Sequence, residues 1–124
     1  MKAISLTQPW ATLVAIGAKR IETRSWNSSY RGPLLIHAAK RFPKEAQDVC
    51  KGEPFAAALL AAGLKSVAEL PTGVLLAGVS LLCTGRIGWF PDGRRKIQGY
   101  EPFIQGDEIS FGDYTPGRYG WVFE

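Results

Sequence analysis

The sequence predicts an α+β fold, a mixed and strongly curved sheet or small barrel with helices packed against it. Three observations predict it. Short runs rich in β-branched and aromatic residues, at residues 2–6, 19–26, 33–39, 74–83 and 118–124, read as strands. Apolar spacing and breaker residues mark helices after Pro9, from near Lys44, and at residues 53–62. Helices and long loops join the strands without a regular βαβ alternation, so the pattern is not that of a doubly wound parallel sheet.

Taken in order, residues 2–6 form a strand and Thr7-Gln8-Pro9 opens a helix. Pro9 suits the first helical position, with Thr7 or Gln8 as the cap. Trp10, Leu13, Val14 and Gly17 follow the i, i+3, i+4, i+7 rule of a buried face, and Gly17 ends the helix in a left-handed conformation. Residues 27–32 are a polar turn. Residues 33–39 are a central strand, because Leu34-Leu35-Ile36 is too continuous for a sheet covered on one side only. His37 inside it reads as a satisfied core histidine. Residues 53–62 are an Ala- and Leu-rich helix stopped by Gly63. Pro71-Thr72-Gly73 breaks the chain before a buried strand at 74–83. Residues 85–106, rich in glycine and charge, read as an irregular excursion with Arg94-Arg95-Lys96 as a basic tip. Thr115-Pro116-Gly117 is a turn, and residues 118–124 form the last strand, with Tyr119, Trp121 and Phe123 on its core face.

A chain of 124 residues is expected to form a single domain, residues 1–124, with an ordinary core. A hydrophobic content of 46% excludes disorder. Cys50 and Cys83 are isolated, and His37 is the sole histidine, so neither a metal nor another cofactor is expected. Two lone thiols and no leader sequence imply a cytoplasmic protein. The apolar runs are too short to span a membrane, so no membrane partner is expected. Charge is unevenly distributed. Residues 1–44 hold eight Lys/Arg and one acid, whereas residues 45–124 hold seven Lys/Arg and ten acids. A basic segment of this kind attracts phosphates or an acidic small molecule, unless the layout is merely bipolar.

The polar stretch Gly17-Ala18-Lys19-Arg20-Ile21-Glu22-Thr23-Arg24-Ser25-Trp26 carries most of the chemistry. As a strand it puts Arg20, Glu22, Arg24 and Trp26 on one face, and Ile21, Thr23 and Ser25 on the other. The bland reading is a charged edge strand that resists aggregation. The functional one is a carboxylate flanked by guanidiniums and an indole.

The motifs Ser5-Leu6-x-Gln8-Pro9-Trp10-Ala11, Gly17-x-Lys19-x-x-Glu22-x-Arg24-Ser25-Trp26, Arg31-Gly32-Pro33-Leu34 and Ile36-His37-Ala38 together resemble the ASCH (activating signal cointegrator homology) domain family. Pro71-Thr72-Gly73 and Gly112-Asp113-Tyr114-x-Pro116-Gly117-Arg118-Tyr119-x-Trp121 extend the likeness along nearly the whole chain. The resemblance implies a PUA-like curved β pseudo-barrel with short flanking helices, and a cleft lined by the first helix and the 19–26 strand. It also implies an association with RNA and modified nucleosides. One branch of the family resembles an amidohydrolase acting on N4-acetylcytidine through a lysine, a threonine nucleophile and a glutamate. Lys19 and Arg24 match that branch, but Glu22 stands at the threonine position. Thr23 is one residue away and turns to the opposite face. Many relatives also continue into another strand beyond the Trp-Val-x-Glu segment. An unpaired sheet edge along residues 118–124 is therefore expected, covered by the 85–106 excursion or by a second copy of the chain.

Glu22 can accept from an exocyclic amino group or from the imino edge of guanine. Lys19 and Arg24 can meet a phosphate or carbonyl oxygen, and Trp26 or Tyr30 can stack on a base. The candidate ligand set is Gln8, Trp10, Lys19, Glu22, Arg24, Trp26, Tyr30 and Arg118. The expected partner is single-stranded RNA or a modified nucleoside or nucleotide, bound by a monomer. The alternative is a hydrolase on the same ligand class, an N4-acetylcytidine-type amidohydrolase or a ribonuclease, with Lys19 and Glu22 as acid and base. A protein-interaction domain with a purely structural charged strand is a third reading.

Overall fold

The protein is described from a computed structural model, covering residues 2–124. The class is the α+β, PUA-like one that the sequence predicts: a seven-stranded mixed sheet with short helices. The chain divides into two compact units. Residues 2–19 and 33–79 form the first, and residues 20–32 and 80–124 the second, with one long strand contributing to both.

In the first unit β1 (Lys2–Leu6) lies parallel to β3 (Gly32–Ala38), with Lys2 opposite Leu34 and Leu6 opposite Ala38. β3 runs between β1 and β4 (Val74–Trp89), which accounts for its continuous apolar run. His37 is hydrogen-bonded as expected, its Nδ1 2.9 Å from the Ser5 hydroxyl, but it is half-buried rather than in the core. Helix α1 (Trp10–Ala15) buries Ala11, Thr12, Leu13 and Val14. Gly17 ends it at φ +82°, but is exposed rather than on the buried face. Helices α2 (Lys44–Val49) and α3 (Phe55–Ala61) follow, and Trp10 meets Phe55 edge-on at 6.0 Å. The opening of β4 departs from expectation: Val74 and Leu75 are exposed, so this run is not buried from its first residue.

The second unit corrects three expectations. First, β2 spans only Ile21–Arg24 rather than 19–26. The Lys19 amide still donates to the Leu13 carbonyl (3.0 Å), so Lys19 belongs to the exit of α1. Second, β7 (Tyr119–Phe123) is not an edge. It pairs antiparallel with β2 on one side and with β4 on the other, so both its backbone ladders are filled. Neither a covering loop nor a second copy is needed along that strand. Third, residues 85–106 are not wholly irregular but contain three strand segments. β4 continues to Trp89, turns through a Phe90 N–H bond to the Arg94 carbonyl (2.8 Å), and returns as β5 (Arg95–Ile97) and then β6 (Phe103–Ile104). Arg94 alone sits at the turn, while Arg95 and Lys96 are strand residues.

One of the glycines that suggested a loop, Gly85, is instead a packing device together with Gly120. Gly85 and Gly120 stand opposite each other on β4 and β7. A Cβ on Gly120 would lie 2.4 Å from Ile97 Cδ1, and one on Gly85 would lie 2.1 Å from the Gln98 carbonyl oxygen. The pair forms a side-chain-free floor onto which β5 folds back. Ile97, fully buried, closes a core with Ile21, Ile87, Ile104, Tyr114 and Val122. Helix α4 (Asp107–Phe111) follows β6, and Glu108 accepts the Arg20 amide at 2.6 Å.

Candidate functional site

Along β2 the burial alternates as a strand should. Ile21 and Thr23 are buried, while Glu22 and Arg24 stay partly open on the other face. The register extends this face across three strands, because residues directly opposite one another project to the same side. Arg24 stands opposite Tyr119, and Tyr119 opposite Arg86. In the next row Glu22 stands opposite Trp121, and Trp121 opposite Thr84.

Arg24 Nε lies 3.2 Å from Glu22 Oε2, and the guanidinium sits 5.2 Å from the centre of the Trp26 ring. Trp26 is 53% exposed, and its carbonyl accepts the Trp121 indole N–H at 3.2 Å. Arg86 donates to the Tyr119 hydroxyl at 2.9 Å and lies 5.2 Å from that ring. The turn that holds Tyr30 is strapped to β4. Arg31 donates to the carbonyls of Ser28 (2.9 Å) and Tyr30 (2.7 Å) and to the Thr84 hydroxyl (2.8 Å), which in turn donates to the Ser28 carbonyl at 3.0 Å. Glu22, Arg24, Trp26 and Tyr30 thus share the second unit with two residues that sequence reasoning missed, Arg86 and Tyr119. No local pattern could have found them. Tyr119 read as a core aromatic and Arg86 as part of a loop, and only the strand register joins them to Arg24.

Other predicted residues are used inside the fold. Gln8 has no exposed surface; its amide donates to the Pro71 carbonyl (2.8 Å) and its oxygen accepts the Thr12 amide (3.0 Å). Trp10 is half-buried against Phe55, and Lys19 is buried, 1% exposed. Gln8, Trp10 and Lys19 all belong to the first unit. Arg118 donates to the Thr23 carbonyl at 3.2 Å and lies 3.6 Å from Asp113. The Thr115 hydroxyl and amide, with a smaller contribution from Arg118, hold the Asp113 carboxyl below the usual range. Thr23, on the face opposite Glu22 and Arg24, is 7% exposed, and its hydroxyl accepts the Asp113 amide at 3.2 Å. Among the described residues, no group of three or more His, Cys, Asp or Glu is placed to hold a metal ion. Nor is any helix long and apolar enough to cross a membrane.

Residues 4–87 match the ASCH domain family. The chain belongs to that family. It is also 35% identical over 79 residues to activating signal cointegrator 1 of Homo sapiens, and equally to that of Mus musculus. Each alignment covers 64% of this chain but only 13% of the relative, so this ASCH chain corresponds to a small part of those proteins. The matched segment includes Glu22, Arg24, Trp26, Tyr30 and Arg86, whereas Arg118 and Tyr119 lie beyond it.

Proposed function

We propose that this ASCH domain binds single-stranded RNA or a modified nucleoside through the face bearing Glu22, Arg24, Trp26, Tyr119 and Arg86. The observation that carries the reading is the row Arg24–Tyr119–Arg86 beside Glu22 and the exposed Trp26. One carboxylate among guanidiniums gives a directional acceptor for a base amino or imino group, inside a field that favours phosphate. The Trp26 ring supplies a sequence-tolerant stacking surface, worth about 1–3 kcal/mol per base. The reading takes the chain as one working domain and a monomer.

The test is fluorescence anisotropy with a labelled single-stranded RNA across a salt series. Affinity should fall steeply with salt, because phosphate contacts release counterions. Arg24→Ala should weaken binding and lower the salt slope by about 1. Affinity that is flat across the series, or unchanged in a folded Arg24→Ala protein, overturns the reading.

A covalent amidohydrolase route through Thr23 is disfavoured by the buried, hydrogen-bonded state of that hydroxyl. Incubation with N4-acetylcytidine should leave no acyl adduct on Thr23 by mass spectrometry. If deacetylation occurs, it should depend on Glu22 activating a water, because Lys19 is buried in the other unit. Activity that survives Glu22→Gln but is lost in Thr23→Ala would reverse this assignment.

A further inference from the structure

We infer that the binding face continues beyond Arg86 onto the β4–β5–β6 hairpin, so that the ligand is an oligonucleotide of several nucleotides rather than a free nucleoside. The inference rests on the proposed RNA reading of the Arg24–Tyr119–Arg86 row and extends it. Arg86 and Gly88 are two apart on β4 and share a face. Gly88 stands opposite Lys96, and Lys96 opposite Phe103. A second row, Gly88–Lys96–Phe103, therefore lies about 7 Å farther along the same face of β4. Its chemistry repeats the first. Phe103 is flanked by the Arg94 guanidinium at 4.3 Å and the Lys96 ammonium at 5.7 Å from its ring centre, and meets Phe90 edge-on at 5.4 Å. Phe90 is itself 42% exposed.

Gly88 opens the second row and, having no side chain, leaves a gap beside Arg86. Arg86, Gly88, Phe90, Lys96, Gln98 and Gly99 border a depression of about 360 Å³ there, within the usual range of small-ligand pockets. It has an arginine at one end and a lysine beside an aromatic at the other. The nearby acids are weak competitors. Arg94 pairs with Asp92 at 2.7 Å, and Lys96 with Glu101 at 3.4 Å, but the Asp92 side chain is 54% exposed and that of Glu101 98%. Exposed pairs of this kind contribute little and yield readily to a phosphate. Cations and rings alternating along one face, with a basic opening between them, fit successive phosphates and bases of a single strand. A lone nucleoside would leave the second row idle.

Gly88 also supplies a clean test. A Cβ there would come no closer than 3.8 Å to any other atom, so a side chain is tolerated by the fold yet stands in the depression. Cytidine monophosphate and labelled oligocytidylates of two, four and eight nucleotides are titrated against the wild type, Gly88→Val, Phe103→Ala and Arg24→Ala, with circular dichroism confirming folding. Wild-type affinity should rise with length. Phe103→Ala should weaken the eight-nucleotide ligand about tenfold, as expected for one lost stacking contact, Gly88→Val should weaken it by filling the depression, and both should affect the mononucleotide less. Length-independent affinity, or Gly88→Val binding the longest ligand like wild type, overturns the inference while sparing the first reading. Loss in Gly88→Val with none in Arg24→Ala overturns the first reading and, with it, the continuity between the two rows. No binding to any of these ligands removes both. Equal competition by polyglutamate of matched charge would mark a generic anion surface and also overturn the inference.

Discussion

The two faces of the β2–β7–β4 ladder are made by the same strands and governed by different physics. The inner face carries the rows Ile21–Val122–Cys83 and Thr23–Gly120–Gly85 and is ruled by volume. The outer face carries Arg24–Tyr119–Arg86 and is ruled by charge and ring geometry. A one-residue slip in register would exchange them, so the core fixes the binding face by fixing the register. Substitutions on the inner face should therefore alter stability without altering affinity per folded molecule. Those on the outer face should do the reverse.

The largest effect is expected from Gly85→Ala. The new methyl group would meet the Gln98 carbonyl oxygen at 2.1 Å, a backbone atom that no rotamer change can move. The strand pair must separate, at a cost of about 3 kcal/mol, read as a lowered midpoint in urea. Gly120→Ala should be milder, because it meets the end of the Ile97 side chain at 2.4 Å. Ile97→Val in the same protein should restore part of the loss, a coupling expected of contacting residues. If Gly85→Ala unfolds like wild type but binds RNA poorly, the division between the faces fails.

How far the sequence disclosed this division depends on range. The alternation of Ile21, Glu22, Thr23 and Arg24 was legible because a period of two is local and the polarity is clear-cut. The helix stop at Gly17 and the central position of β3 were legible for the same reason. The floor formed by Gly85 and Gly120 was not. Glycine signals a turn and a close backbone approach alike, and only the partner, Ile97, decides between them. The membership of Arg86 and Tyr119 in the binding face depends on register between distant strands. Gln8 shows the converse problem. A polar residue in a distinctive motif suggests ligand contact, yet its buried amide is engaged by Thr12 and by Pro71, 63 positions away. The paired flanks of β7 were likewise invisible, because strand order across a sheet is not a local property.

An intermediate effect is expected from Thr23→Val. The substitution keeps the β-branched shape and removes the hydroxyl that accepts the Asp113 amide. Loss of that bond should cost about 1 kcal/mol, measured by urea titration, with RNA affinity within twofold of wild type. A large loss of affinity at unchanged stability would mean that the inner face takes part in binding.

The smallest effect, and the sharpest check on the claim that volume rules the inner face, is Tyr114→Phe. Tyr114 is 5% exposed within the isoleucine–valine core, and its buried hydroxyl has no hydrogen-bond partner among the described residues. Burial, followed by the charges of Glu108 and Glu22, pushes its ionisation well above the ordinary tyrosine value, against a smaller opposing pull from Arg95. The unfolded chain releases that proton near the ordinary value of about 10, while the folded protein holds it. The stabilising contribution is therefore full below about pH 10 and declines as pH rises beyond that value. Phenylalanine keeps the ring and discards an unsatisfied polar atom, so stability at pH 7 should be unchanged or higher by up to about 1 kcal/mol. The alkaline decline should also be shallower in the variant, compared by urea titrations at pH 7 and about pH 10.5. Destabilisation by more than about 1 kcal/mol at pH 7 would show that the hydroxyl makes a favourable polar contact, and the inner face would then owe part of its stability to polarity rather than to shape.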